Sequence, residues 1–112
     1  MNKYHAQKAK VDGYTFDSRK EAERYLVLKC LLKTGKIRDL EVHKTFHLIP
    51  KQTDEHGKVL ERKCDYIADF VYVKDGQIIV EDVKSPVTKK KPEYILKRKM
   101  MLYFHGISVT EI

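Results

Sequence analysis

The chain has no tryptophan, two cysteines, three prolines and five glycines in 112 residues, and no long apolar run. Each shortage excludes something. Cys30 and Cys64 lack CxxC spacing, so neither a disulfide framework nor a thiolate zinc site is expected; both read as buried reduced thiols suited to a cytoplasmic setting. No stretch approaches the roughly 18 consecutive apolar residues of a spanning helix. The start, MNKYHAQKAKVDG, has no apolar region behind its charges, so the expectation is a soluble protein without a membrane span or a standard secretion signal. The few glycines form no phosphate-cradling loop, since Gly13 and Gly35 read as turn residues, and this excludes a nucleotide-hydrolysing motor or a nucleotide cofactor. The length excludes a two-domain enzyme, and 42% apolar residues suit one compact domain.

What the chain has in excess is positive charge. Lys and Arg number 23 against 16 Asp and Glu, a formal net charge of +7. On so small a surface this predicts attraction to polyanions, nucleic acid ahead of acidic membrane, with plain solubility as the bland alternative.

Residues 1–17 are polar and basic and read as an N-terminal arm, either trailing along a phosphate backbone through Lys8 and Lys10 or without a role; residues 18–112 form the single domain. Ser18 and Glu21 have capping-box spacing and open a helix that runs to about Lys33, with Gly35 at its C-cap. Ile37 to Ile49 reads as extended, and residues 51–58 as a polar turn. Val59 to Val73 and Gln77 to Lys84 are strand-like runs joined by Asp75-Gly76, a strong hairpin signal. After the loop SPVTKKKP, Pro92 opens a second helix that ends at Gly106, and Ile107 to Glu111 alternates as a short strand. The expected class is α/β, in the order αβββαβ, with one small mixed sheet flanked by helices.

A two-residue turn at Asp75-Gly76 sets Lys74 opposite Gln77 and therefore Asp69 opposite Asp82. Alternation places Lys84 on the face of Asp82, beside Val71, Val73, Ile78 and Val80. Glu81 and Val83 point the other way, so neutralising Glu81 is expected to matter little. On the first helix, Glu21 shares a face with Tyr25, Leu28 and Leu32, while Glu23 reads as a solvated partner for Lys20 or Arg24. Taken singly, Glu21 is a capping residue and the two aspartates a surface salt bridge to Lys84. Together they suggest metal-assisted phosphodiester hydrolysis. Oxygen-only ligands select Mg²⁺ or Mn²⁺, a metal held by Asp69 and Asp82 relieves their repulsion, and Lys84 orients a water or stabilises charge on phosphorus.

These residues resemble the PD-(D/E)xK nuclease superfamily, whose core order is αβββαβ, the restriction-endonuclease-like fold. The likeness rests on Phe16-Asp17-Ser18-Arg19-Lys20-Glu21-Ala22-Glu23-Arg24-Tyr25, on Tyr66-Ile67-Ala68-Asp69-Phe70, on Val80-Glu81-Asp82-Val83-Lys84-Ser85 and on the basic second helix. The chain looks most like short phage and prophage proteins of a domain of unknown function, grouped with Holliday-junction-resolvase-like nucleases. The resemblance implies Glu21, Asp69, Asp82 and Lys84 as catalytic residues. It implies a Mg²⁺ site, with Mn²⁺ substituting, built from Asp69, Asp82, the backbone carbonyl of Val83 and Glu21, the last through water. It also implies branched DNA as substrate, a homodimer, and the host cytoplasm as the place of action. Ala68 stands where the literal motif has proline, and Asp82 where Glu is commoner; strand parity selects Asp82 over Glu81.

Lys89, Lys90 and Lys91 are candidates to clamp a phosphate backbone, and Lys97 and Arg98 to reach DNA separately, on a helix whose inward stripe reads as Leu96, Met100 and Tyr103. Tyr4, Tyr14 and Phe16 read as anchors of the domain more than as base-stacking residues. His43 and His47, four apart on a strand, are too far separated for one metal and are assigned core or solvent roles. Two readings from other classes stand beside the nuclease: a catalytically inactive DNA-binding module with the same fold, and a basic scaffold that binds proteins.

Overall fold

A computed structural model describes residues 8–112; the part of the basic arm before Lys8, including Tyr4, lies outside the described residues. Asp12 and Gly13 take φ of 53° and 84°, the left-handed pair that a two-residue hairpin turn requires. They join strand β1 (Ala9–Val11) to β2 (Tyr14–Phe16) in antiparallel pairing. This corrects the arm reading for the described part of residues 1–17, because alternating apolar residues around Asp-Gly outweigh the lysines. Phe16 is fully buried, and Asp12 accepts hydrogen bonds from the Tyr25 hydroxyl at 2.7 Å and from Lys29 Nζ at 2.5 Å, which docks the hairpin on the first helix.

Helix α1 (Arg19–Lys33) begins where the capping signal sets it: Ser18 Oγ accepts the Glu21 N–H at 3.1 Å, and Glu21 Oε2 accepts the Asp17 N–H at 3.2 Å. It ends in a Schellman motif at Gly35, with the Gly35 N–H on Leu32 O and the Lys36 N–H on Leu31 O. Its inward face is Glu21, Ala22, Tyr25 and Leu28, continued by half-buried Leu31, while Leu32 stays exposed.

Strand β3 (Arg38–Ile49) follows, then a small hairpin of β4 (Gln52–Thr53) and β5 (Val59–Glu61) within what the sequence suggests is a turn. The run expected from Val59 to Val73 is thus two strands, broken at the charged Arg62-Lys63, and β6 (Cys64–Lys74) carries its second part. Asp75-Gly76 turns β6 into β7 (Gln77–Asp82) with Lys74 opposite Gln77 and Phe70 opposite Glu81, the register expected. Helix α2 (Pro92–His105) has Pro at its first position and left-handed Gly106 at its end, and β8 (Thr110–Glu111) closes the fold parallel to β7. The sheet order is β3-β6-β7-β8, a mixed four-stranded sheet.

Ile79 packs with the α1 residues and Val80 with the α2 residues, so the helices cover opposite faces. An aromatic group of Phe16, Tyr25 and Phe70, with ring centroids 5.3 to 6.4 Å apart, fills the α1 side. On α2 the inward residues are Tyr94 and Met101, with Lys97 and Arg98 half-buried between them. The expected stripe of Leu96, Met100 and Tyr103 is incorrect: Leu96 and Tyr103 are exposed and Met100 is half-buried. The reason is that Tyr94 and Met101 fit the space over β6, and the helix rolls to seat them. Cys30 is exposed and Cys64 half-buried, both as free thiols, which corrects their expected burial; Cys30 falls on the outer side of α1. Among the described residues, no helix is long and apolar enough to cross a membrane.

Candidate functional site

Strict alternation fails in the middle of the β3–β6 pair, as well as at the register shifts near its two ends. Phe46, Leu48, Tyr66 and Ala68 pack on the α2 side, yet Leu40, Val42, Phe70 and Tyr72, also even-numbered, pack on the α1 side. The change falls between Val42 and Lys44 on β3 and between Ala68 and Phe70 on β6, where His43 and Asp69 stand opposite each other in the register. His43 has φ of 55°, a left-handed kink inside a strand, and the kink is the local cause of the change of face. Asp69 is thereby placed at the crossover between the two helix-covered faces.

Two groups of side chains meet there. On the α1 side, His43 Nε2 lies 2.9 Å from Glu21 Oε1, and one ligand atom each of Glu21, His43 and Asp69 lie within 4.8 Å of one another. On the α2 side, Asp82 accepts the Tyr66 hydroxyl at 2.6 Å and pairs with Lys84 Nζ at 3.3 Å, the ammonium resting 4.6 Å over the Tyr94 ring. Asp69 joins the groups: its Oδ2 accepts the Val83 N–H at 2.7 Å, and its carboxyl is within hydrogen-bond reach of Asp82.

Burial is the first cause that raises the pKa of both aspartates. Asp82 is pushed up to about 7 by burial, then by its hydrogen bond to Asp69 and the repulsion between the two, against which the Tyr66 hydroxyl and Lys84 act. The Tyr66 phenol is raised by burial and by Asp82, and stays neutral as a donor.

Of the residues singled out from sequence, Glu21, Asp69, Asp82, Val83 and Lys84 come together, Asp69 in contact with both sides. The others are scattered. Lys8 and Lys10 are exposed at the β1–β2 hairpin, away from the expected arm geometry. Lys89 and Lys90 lie on a 3₁₀ turn (Thr88–Lys90), exposed like Lys91, and Lys91 lines a cavity of about 310 Å³ with Asp82, Lys84, Tyr66 and Lys97. Lys97 pairs with Glu93 at 3.3 Å, and Arg98 with Glu111 at 3.6 Å. Neither is a free cation. Lys20 donates to the carbonyls of Lys84 and Ile112, not to Glu23. Arg24 makes a two-pronged bond to Glu81 at 2.8 and 2.6 Å, and Tyr72 also donates to that glutamate. Glu81 does face away from Lys84, as expected, and it is a buried anchor between α1 and β7, so its weight falls on holding the fold.

His43 is the functional candidate that spacing arguments miss. Paired with His47 it makes no site; paired across the sheet with Asp69 and across to α1 with Glu21 it does. From Glu41 to His47 the residues of β3 and their partners on β6 sum to 112, a register that only the fold shows and that sets His43 against Asp69. His47 instead pairs with Asp65 at 3.0 Å.

The residues present suit a divalent cation: three carboxylates converge, two of them buried below a tenth exposed, and burial raises the pKa of both adjacent aspartates even with Lys84 3.3 Å from Asp82. The fold is α/β with a small mixed sheet between two helices, and its site is an acid-rich crossover centred on the inner strands β6 and β7. The chain belongs to the family described as Protein of unknown function (DUF1064), matched over residues 1–110. No curated protein and no solved structure matches it.

Proposed function

We propose that the chain is a Mg²⁺-dependent DNA endonuclease with the restriction-endonuclease-like core, acting on branched DNA as a homodimer. The observation that carries this reading is the meeting of Glu21, Asp69 and Asp82 at one crossover with Lys84 3.3 Å from Asp82. The order of the core elements, α1, β3, β6, β7, α2 and β8, also agrees with it.

Asp69 and Asp82 would hold the ion, with Glu21 beyond Asp69 and the Val83 main chain against it. A bound Mg²⁺ polarises a phosphoryl oxygen and brings a coordinated water toward neutrality in acidity. Lys84 is held by Asp82 and by the face of Tyr94, which leaves its ammonium a short, fixed reach for orienting the attacking water and countering charge on phosphorus. Tyr66 keeps Asp82 in place by donating to Oδ2. Exposed Lys89, Lys90 and Lys91 follow directly after the strand that carries Asp82 and supply backbone contacts. Cutting two strands symmetrically takes two sites, hence the homodimer.

The test incubates the protein with labelled four-way-junction and matched linear duplex DNA in Mg²⁺, Mn²⁺ or EDTA, with Asp69→Asn as control. Metal-dependent cutting that the variant loses is the expected result, and paired symmetric nicks in the junction mark resolution. Lys84→Ala should lower the cleavage rate by about 10²- to 10⁴-fold while leaving DNA affinity within about threefold. Salt-sensitive DNA binding without cutting in any metal replaces the enzyme by an inactive binding module.

A further inference from the structure

His43 adds to this site something that an oxygen-only magnesium centre has no use for. Its Nε2 is 2.9 Å from Glu21 Oε1, and Asp69 brings a carboxylate oxygen within 4.8 Å of both. Ligands about 2.1 Å from one ion lie about 3 to 4 Å apart, so the Glu21–His43 spacing already suits a shared ion and a small rotation of Asp69 completes the set. The three are held from three different elements. Glu21 is fixed by the Asp17 N–H, Asp69 by the Val83 N–H, and the His43 ring packs 5.7 Å from Phe16.

An ordinary ion pair does not account for the arrangement. One imidazole, even protonated, carries a single positive charge and faces two carboxylates, Glu21 only 5% exposed and Asp69 half-buried, and the nearby ammonium of Lys84 is paired with the third acid, Asp82, so negative charge is left over in a poorly solvated place. A dication removes that excess. The donor chemistry then selects among dications. Mg²⁺ favours oxygen ligands and retains its waters, whereas imidazole nitrogen strengthens binding along the first transition row.

We infer that Glu21, His43 and Asp69 form a mixed nitrogen and oxygen site that takes a first-row transition dication, in the series Mn²⁺ to Zn²⁺, in preference to Mg²⁺, with His43 as the selecting ligand. The inference shares Glu21 and Asp69 with the nuclease reading and rests on it only in placing that ion beside the cleavage site; binding itself is independent of turnover.

The whole protein is titrated with Mn²⁺ and its electron-spin-echo spectrum is searched for nitrogen coupling, while Mg²⁺ affinity is measured by calorimetry. The parent should show the coupling, and both His43→Gln and Asp69→Asn should lose it. His43→Gln should weaken Mn²⁺ binding by about tenfold or more and alter Mg²⁺ binding by less than about twofold. Asp69→Asn keeps the test decisive if the His43 variant fails to fold, because His47 and His105 lie outside the cluster. No nitrogen coupling in the parent, or coupling and Mn²⁺ affinity unchanged in a folded His43→Gln, overturns the inference. The two readings fail separately: junction cutting in Mg²⁺ without nitrogen coupling removes the transition-ion site and keeps the nuclease, and coupling without cutting in any metal does the reverse.

Discussion

Asp82 stands where a carboxylate is hardest to ionise, 2% exposed and against a second acid. Its pKa in the fold is raised from 3.8 to about 7, so below that pH the metal-free fold prefers the protonated form. The stability this gives is fully present below about pH 4 and is lost as the pH rises through about 7. Asp82→Asn keeps an acceptor for the Tyr66 hydroxyl and has no charge to bury. The metal-free variant should therefore melt close to the parent at pH 4 and above it at pH 8, by on the order of 2 kcal/mol. Melting curves across that range in EDTA read the difference; a gap that does not widen with pH contradicts the raised value. In saturating metal the order should invert, since the parent then gains binding energy that the amide forgoes. Glu81, next in sequence, is faced by the Arg24 guanidinium. Glu81→Gln leaves Arg24 without its charge partner and should cost about 3 kcal/mol, whereas its direct effect on metal affinity should be small.

At the scale of elements, α1 is the part that brings the site together, since it delivers Glu21 to Asp69 and is tied to β7 one turn later through Arg24. Ser18→Ala removes the cap at its start and should cost about 1 kcal/mol by chemical denaturation. Both helices and the β6–β7 hairpin were legible in the sequence because their signals are local: Ser18 with Glu21, Gly35, Pro92, Gly106 and Asp75-Gly76 each fix backbone geometry within a few residues. The β1–β2 hairpin carries the same Asp-Gly signal at Asp12-Gly13, but three-residue strands are too short to stand out from a lysine-rich stretch. Two features were not legible. The roll of α2 is decided by which side chains fit over the sheet, so its apolar Leu96 and Tyr103 gave no warning that they face out. The switch of faces at His43 and Asp69 depends on a left-handed residue that is neither glycine nor asparagine, and pattern reading assumes unbroken alternation. That switch is why the acids were expected on one surface and are found at a crossover, and why His43 escaped notice. Asp12→Ala tests the hairpin's share: freeing Tyr25 and Lys29 should loosen Phe16 under His43, lower the melting temperature and speed amide exchange at β1 and β2.

For the whole molecule, the surplus of +7 matters by where it is free to act. Lys97 and Arg98 are engaged by Glu93 and Glu111, Lys20 by backbone carbonyls, and Arg24 by Glu81. Lys89, Lys90 and Lys91 are exposed and make no ion pair among the described residues, on the turn that follows the strand of Asp82. If the chain binds DNA as proposed, each lysine that displaces a counterion contributes about 0.9 to the fall of log affinity with log salt. Replacing Lys89, Lys90 and Lys91 together by Gln should reduce that slope by about 2 to 3, equally for junction and duplex, because phosphate contacts carry no sequence or shape preference of their own. Replacing Lys97 and Arg98 should change the slope by less than about 1, because their partners already neutralise them, and the cost should appear as lost packing of Arg98 against the Tyr94 ring. Fluorescence anisotropy in EDTA at several salt concentrations separates the two sets without interference from cleavage. A larger loss of slope from the Lys97 and Arg98 pair than from the lysine turn would mean that α2, and not the turn after β7, lies along the nucleic acid.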